Sequence, residues 1–355
     1  VVTRPAARAL SNRWTGPEIE ERLTSGPAGR TRLRAIDVHS HYVPRGYRAA
    51  LRAAGITHPD GYHAGVPAWS AEEHLEQMDR LGIETAVVSI STPGVAFGGD
   101  PVRVAAEAND AGAELAETYP GRFGFYAAVP LPDIDAALAE LDRAVALGAW
   151  GVSLLTHTDG VYLGDPRLAP LFAELSRREL TVLMHPTAPA VHVPGVMEGW
   201  SRSMYEFFFD STRAVINLIM SGALECHPGI RLVIPHAGAA LPALAQRIER
   251  NVWRTNATRE TDPLPGFVDS LRRCWFDLAG SVLPHQLPSL LALADADRIV
   301  YGSDFPYTNA DLGAELAAEL RTTDALTSAQ KSAVLRTNAA ALFPQLATTT
   351  AGATV

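Results

Sequence analysis

Two histidines one residue apart, His39 and His41, close an apolar run that begins near Ala35. In an extended strand residues i and i+2 project to the same side, so both imidazoles can face one point. Neutral imidazoles at that spacing are good ligands for a divalent transition metal. Groups of the same chemical kind end three other apolar runs: His185 in Leu-Met-His-Pro, His236 in Ile-Pro-His-Ala-Gly, and Asp304 in Tyr-Gly-Ser-Asp-Phe-Pro. Each alone has an ordinary explanation, such as a hydrogen-bonded core histidine or an aspartate capping a helix. Four such placements at strand ends are not expected by accident.

Something must bring these ends together. Short β-branched runs at 35–39, 85–90, 123–129, 151–155, 181–185, 231–236, 274–278 and 298–302 read as strands buried on both faces. Helical patterns lie between them, at 71–81, 101–119, 135–147, 168–178, 210–223, 241–253, 285–294 and 311–321. Ser70 followed by Glu73 forms a capping box for the first of these helices. Eight alternations without a Gly-rich phosphate loop after the first strand predict a (β/α)8 TIM barrel, not a dinucleotide-binding sheet. Barrel enzymes place their chemistry at the carboxyl ends of the strands, where all four placements fall. The barrel is predicted to span 34–344, with substrate-binding insertions at 42–69 and 186–209. Residues 1–33 read as an arm or tail wrapped on the surface, and 345–355 as a C-terminal tail.

Composition excludes several classes of function. The chain has 355 residues, a formal net charge of −9 and no basic stripe, which argues against a nucleic-acid partner. No apolar run approaches the roughly 18 residues of a membrane span. Residues 1–33 contain no signal-peptide apolar core, and two cysteines, Cys226 and Cys274, suit a reducing cytoplasm. Lysine occurs once, at Lys331, in a C-terminal helical pattern far from every strand end that carries a candidate group. Schiff-base chemistry, a pyridoxal phosphate anchor and a carbamylated lysine between two metals are therefore not expected.

The runs DVHSHYVP (37–44), MDRLGI (78–83), MHPTAP (184–189), HAGAALP (236–242) and YGSDFPY (301–307) resemble the metal-dependent amidohydrolase superfamily. The branch is the one that includes aminocarboxymuconate-semialdehyde decarboxylase and the aromatic-acid decarboxylases. The likeness runs from about Ala35 to Phe343. In texture, through PAWS (67–70), YPGRFGFYAAVPL (119–131) and LIMSGALECHPGIRLVIPHAG (218–238), it is nearest to 6-methylsalicylate-type decarboxylases. The resemblance implies that His39, His41, His185 and Asp304 bind one divalent ion, Zn²⁺ or alternatively Mn²⁺. It also implies that His236 is the catalytic acid/base. Arg247 matches an arginine that in this family reaches a neighbouring subunit's active site, which implies a homodimer. The muconate-semialdehyde enzymes carry dicarboxylate-gripping arginines just before the position of Trp69. Residues 56–69 here contain none.

Aromatic residues gather in the predicted loops, and a ring-shaped substrate would account for Trp69, Phe97, Tyr162, Phe207 and Phe208 as binding residues. His74, with His58, His227 and His285, is expected at the surface. The leading reading is non-oxidative decarboxylation of a hydroxylated, salicylate-type aromatic acid, with His236 or Asp304 donating the proton and the other orienting. The alternative is metal-dependent hydrolysis of an ester, lactone or amide at the same site. A metal-containing binding protein without turnover is the third.

Overall fold

The computed structural model describes residues 16–24 and 34–349. Eight parallel strands lie side by side in chain order: β1 Ala35–His41, β2 Ile83–Ser89, β3 Phe123–Ala127, β4 Gly151–Leu155, β5 Thr181–His185, β6 Arg231–Ile234, β7 Trp275–Asp277 and β8 Ile299–Val300. All eight predicted strands are present, several shorter at their carboxyl ends. The last strand returns to the first. Val38 N–H donates to Tyr301 O at 2.9 Å, and Ser303 and Asp304 N–H donate to His39 O at 3.1 and 2.8 Å. Asp37 Oδ1 reinforces this seam by accepting from the N–H groups of Ser303 and His39. The result is the predicted (β/α)8 barrel.

Its interior is filled by Ile36, Val38, Tyr126, Leu183, Val233 and Trp275, with Phe343 beneath them just after the helix Ala339–Leu342. A larger apolar layer lies between the strands and the helices outside. Strand β1 contains a departure from simple alternation. Asp37 pairs with Ala86 and Ser40 with Val88, so β1 has one residue more than β2 over this stretch. Such a bulge flips the side-chain parity. Ile36 and Val38 fill the barrel, yet His39 and His41 beyond them also turn inward. Tyr126 hydroxyl donates to Val38 O at 2.9 Å, which satisfies the carbonyl that the bulge displaces.

Two predicted loops contain more order than their composition suggested. Within 42–69 lies the helix Arg45–Ala53, whose Tyr47 and Leu51, four residues apart, are buried. The helix predicted at 210–223 starts earlier, as Glu206–Met220, so Phe207–Phe209 occupy its first turn and are not loop residues. A two-stranded ribbon, His157–Thr158 with Val161–Tyr162, follows β4 and was not foreseen. Ser70 caps the helix Ala71–Leu81 by accepting from Glu73 N–H at 3.2 Å. Most of the arm expected at 1–33 lies outside the described residues. The helix Gly16–Thr24 does not: it buries Ile19 and Leu23 and packs against the helix Ala310–Thr322. Of the tail expected at 345–355, residues 350–355 lie outside the described residues.

Candidate active site

The ends of β1, β5 and β8 and the turn after β6 bring His39, His41, His185, Asp304 and His236 together at one mouth of the barrel. The ligand atoms of His39, His41 and His185 lie within 4.8 Å of one another, as do those of His39, His236 and Asp304. Three of the rings are oriented by an oxygen at Nδ1. His39 meets Asp277 Oδ2 at 2.8 Å, His41 meets Ser89 Oγ at 3.1 Å, and His185 meets Pro186 O at 2.7 Å. With the proton on Nδ1, each Nε2 lone pair is left for the centre.

Nε2 of His39 and of His41 are buried without a hydrogen bond of good geometry. Asp304 Oδ1 stands 3.8 and 3.2 Å from them. Leaving buried polar atoms unpaired costs about 1–3 kcal/mol each, and a cation that accepts both lone pairs removes that cost. Three imidazoles and one carboxylate are a donor set that suits a divalent transition metal. The residues present fit a metal ion.

Electrostatics sort the histidines. Burial lowers the proton affinity of His41, His185 and His236, so all three are neutral near pH 7. Burial also acts downward on His39, but the carboxylate of Asp277 outweighs it, with Asp304 and Asp37 adding, and the imidazole is pushed up to about 9. Burial pushes Asp304 upward, yet contact with His41 and the charges of His39, His41 and His236 hold it below the ordinary carboxylate range.

Backbone strain is concentrated at the same place. His236, Ala237, Gly238 and Ala239 all have positive φ, 56°, 53°, 78° and 53°, and Asp304 has 57°. For residues other than glycine this costs about 1–3 kcal/mol each and persists only where the surroundings impose it. Asp277 Oδ1 accepts from His236 N–H at 3.0 Å, and Asp304 N–H is the seam donor to His39 O. At Gly302 a Cβ would lie 2.8 Å from that of His39, so a side chain there would push the first ligand strand away.

A cavity of about 350 Å³ opens above these groups, lined in part by His236, Asp304, Phe207, Phe208, Tyr307 and Asp60. Phe208 stacks on His236, centroids 5.8 Å apart at 27°, and Phe207 stands edge-on to His185 at 6.5 Å. Among the described residues, neither arginine nor lysine lines it.

Three expected binding residues, Trp69, Phe97 and Tyr162, lie outside the cavity wall. Trp69 packs on Tyr42, and its indole N–H donates to His74 Nδ1 at 3.1 Å. His74 is consequently buried, not at the surface. Phe97 packs edge-on against Tyr47 beside the core. Tyr162 donates to Asp210 Oδ1 at 2.5 Å and anchors the ribbon after β4 to the helix Glu206–Met220. Arg247 is exposed on the helix Leu241–Asn256 and is not part of this chain's cavity wall.

Asp277 was missed by sequence reasoning. Its one signal is a carboxylate ending the apolar run Cys-Trp-Phe-Asp. Asp277→Asn is expected to weaken metal binding about 10–100-fold, as loss of such a supporting partner generally does. The proton on His39 gives this a pH dependence. Below pH 9 the ion competes with that proton. Removing Asp277 also releases the proton. The loss should therefore be full above pH 9 and shrink as pH falls, as chelator competition across that range would read.

Comparison with known proteins decides the family: the amidohydrolase profile matches residues 36–345. The chain belongs to the amidohydrolase family. It is 33% identical over 329 residues to the 6-methylsalicylic acid decarboxylase acuB of Aspergillus aculeatus, covering 88% of this chain and 96% of that one. A solved amidohydrolase II superposes with a TM-score of 0.82 at 35% identity, over 87% of this amidohydrolase and 99% of the other. A dihydroxybenzoic acid decarboxylase from Polaromonas, solved with bound manganese and 2-nitroresorcinol, shares the fold at a TM-score of 0.73 and 23% identity, covering 88% and 97% of the two chains. Within the family, the chain is homologous to non-oxidative decarboxylases of hydroxylated aromatic acids. Among the described residues no helix is long and apolar enough to cross a membrane.

Proposed function

We propose that this amidohydrolase removes CO₂ from a salicylate-type aromatic monocarboxylate. The observation that carries the reading is the cavity: phenylalanine walls beside His236 and Asp304 and, among the described residues, no cationic side chain to hold a second carboxylate. His39, His41, His185 and Asp304 would hold one divalent ion, Zn²⁺ or the manganese seen in the Polaromonas enzyme. When bound, the ion supplies a Lewis-acidic centre that favours adjacent carboxylate and phenolate oxygens.

The chain's own residues supply the rest. Phe207 and Phe208 hold the ring beside His236. Among the described residues, no protein group hydrogen-bonds the ring nitrogens of His236, whereas Asp304 is engaged through Oδ1 with His41 and through Oδ2 with Thr308 Oγ1 at 3.3 Å. His236 is therefore the proton donor we favour, with Asp304 orienting. An anionic substrate beside His236 raises its low proton affinity. The proton is delivered to the ring carbon that carries the carboxylate. The C–C bond then breaks, its electron pair restores the aromatic ring, and CO₂ leaves.

In D₂O, an ortho-hydroxybenzoate should give CO₂ and a phenol with deuterium at the carbon that bore the carboxylate, read by NMR. An inert panel of hydroxybenzoates, beside metal-dependent turnover of lactones or esters, would replace this reading with hydrolysis.

We further propose that the barrel of 34–344 works as a homodimer in the cytoplasm, with 1–33 and 345–355 as appendages. The exposed side of Arg247 and the two free cysteines, Cys226 and Cys274, are consistent with that setting. Sedimentation should show a dimer; an active monomer at nanomolar concentration would contradict it.

A further inference from the structure

The insertion after β1 puts an acidic side chain into the cavity wall. Asp60 sits in the short turn Pro59–Gly61 with a left-handed backbone, φ 49°. Three donors converge on one of its oxygens. Oδ2 accepts from Thr92 Oγ1 at 2.5 Å, from Thr187 Oγ1 at 3.2 Å and from Ala188 N–H at 3.2 Å. The two threonines are buried and their hydroxyls lie 2.9 Å apart. They follow β2 and β5, so the carboxylate is fastened to the loops of two barrel strands. Its other oxygen, Oδ1, receives no hydrogen bond among the described residues. Among the described residues no cationic side chain lines the cavity to neutralise it.

We propose that Asp60 is a specificity-determining residue whose free oxygen accepts a hydrogen bond from a second ring hydroxyl, other than the one beside the substrate carboxylate. The inference rests on the decarboxylase reading and narrows its substrates to dihydroxylated aromatic monoacids. An ionised carboxylate only accepts. A hydroxyl satisfies it, a methoxy or methyl group leaves it unpaired when the ligand displaces water, and a second carboxylate meets like charge. A hydrogen bond to a charged group corresponds to about ten- to a hundredfold in kcat/KM.

The test compares holoenzyme and Asp60→Asn on salicylate, the ring isomers of dihydroxybenzoate and their monomethyl ethers, with metal content measured for each protein. The wild type should prefer at least one dihydroxy isomer over its ether about ten- to a hundredfold. In Asp60→Asn the amide oxygen can keep the threonine and Ala188 donors, which turns an NH₂ toward the cavity. That exchanges acceptor for donor, so the preference should fall tenfold or more, toward the ether. Simple loosening of the loop would lower kcat/KM for all compounds together and leave the ratio unchanged. Turnover with no hydroxyl preference in the wild type, or an unchanged ratio in Asp60→Asn, overturns the inference and leaves the decarboxylase reading standing. A wholly inert panel overturns both. If Asp60→Asn does not fold, the wild-type ratio decides alone.

Discussion

His236→Ala is expected to keep its metal and lose about 10²- to 10⁴-fold in kcat, the usual contribution of a positioned proton-transfer group. The two effects separate because the ring is held from outside the ligand set. Its backbone N–H is fixed by Asp277 and its face by Phe208, while His39, His41, His185 and Asp304 keep their own partners. Metal analysis and single-turnover rates would read the two effects independently. The pH profile gives a further check. The protonated imidazole is the active form, so kcat should fall as pH rises past the pKa of His236 in the complex, and His236→Ala should lack that limb. An unchanged rate would make His236 structural and return the proton to Asp304.

Removing a ligand should act differently. His39→Ala and Asp304→Ala are each expected to fall from about one metal per chain to near none, with activity lost, since each removes one of the four side chains proposed to hold the ion. Their stabilities should diverge. His39→Ala leaves Asp277 fully buried without its partner, a defect that costs about 3–5 kcal/mol. The Asp304 side chain is 19% exposed, and its loss strands no opposite charge at that depth. Calorimetry of the metal-free proteins should therefore show the larger drop in Tm for His39→Ala. Full metal occupancy in both variants would remove the metal centre from the account.

The periodicity of the chain was enough to place eight strands, because a barrel strand buried on both faces is a short apolar run bounded by turns. The clustered histidines and Asp304 were legible together and not singly: each alone has an ordinary explanation, but four such strand ends share one barrel mouth. What escaped was set by tertiary geometry. The bulge in β1 depends on its register against β2, 48 or 49 residues away, and no local pattern marks it. Asp277 serves His39 across 238 residues. Trp69 looked like a pocket residue by type and loop position, yet a buried histidine five residues on provided its partner. The helix Arg45–Ala53 was hidden because its four-residue spacing consists of only Tyr47 and Leu51. Asp60 was overlooked because its neighbours Pro59 and Gly61 signal a turn, and a turn residue is ordinarily solvated.

The seam between β1 and β8 bears on how the molecule is made. As the chain leaves the ribosome, His39, His41 and His185 emerge with the first five strands, while the carboxylate of Asp304 follows the eighth. Asp304, the proposed fourth ligand, and its neighbour Ser303 donate the backbone hydrogen bonds to His39 O that close the ring of strands. A nascent chain therefore carries three imidazoles but neither a finished hoop nor the full set of groups proposed for the ion until the eighth strand has been synthesised. Closure of the hoop and completion of the proposed site are a single event, which waits for the eighth strand.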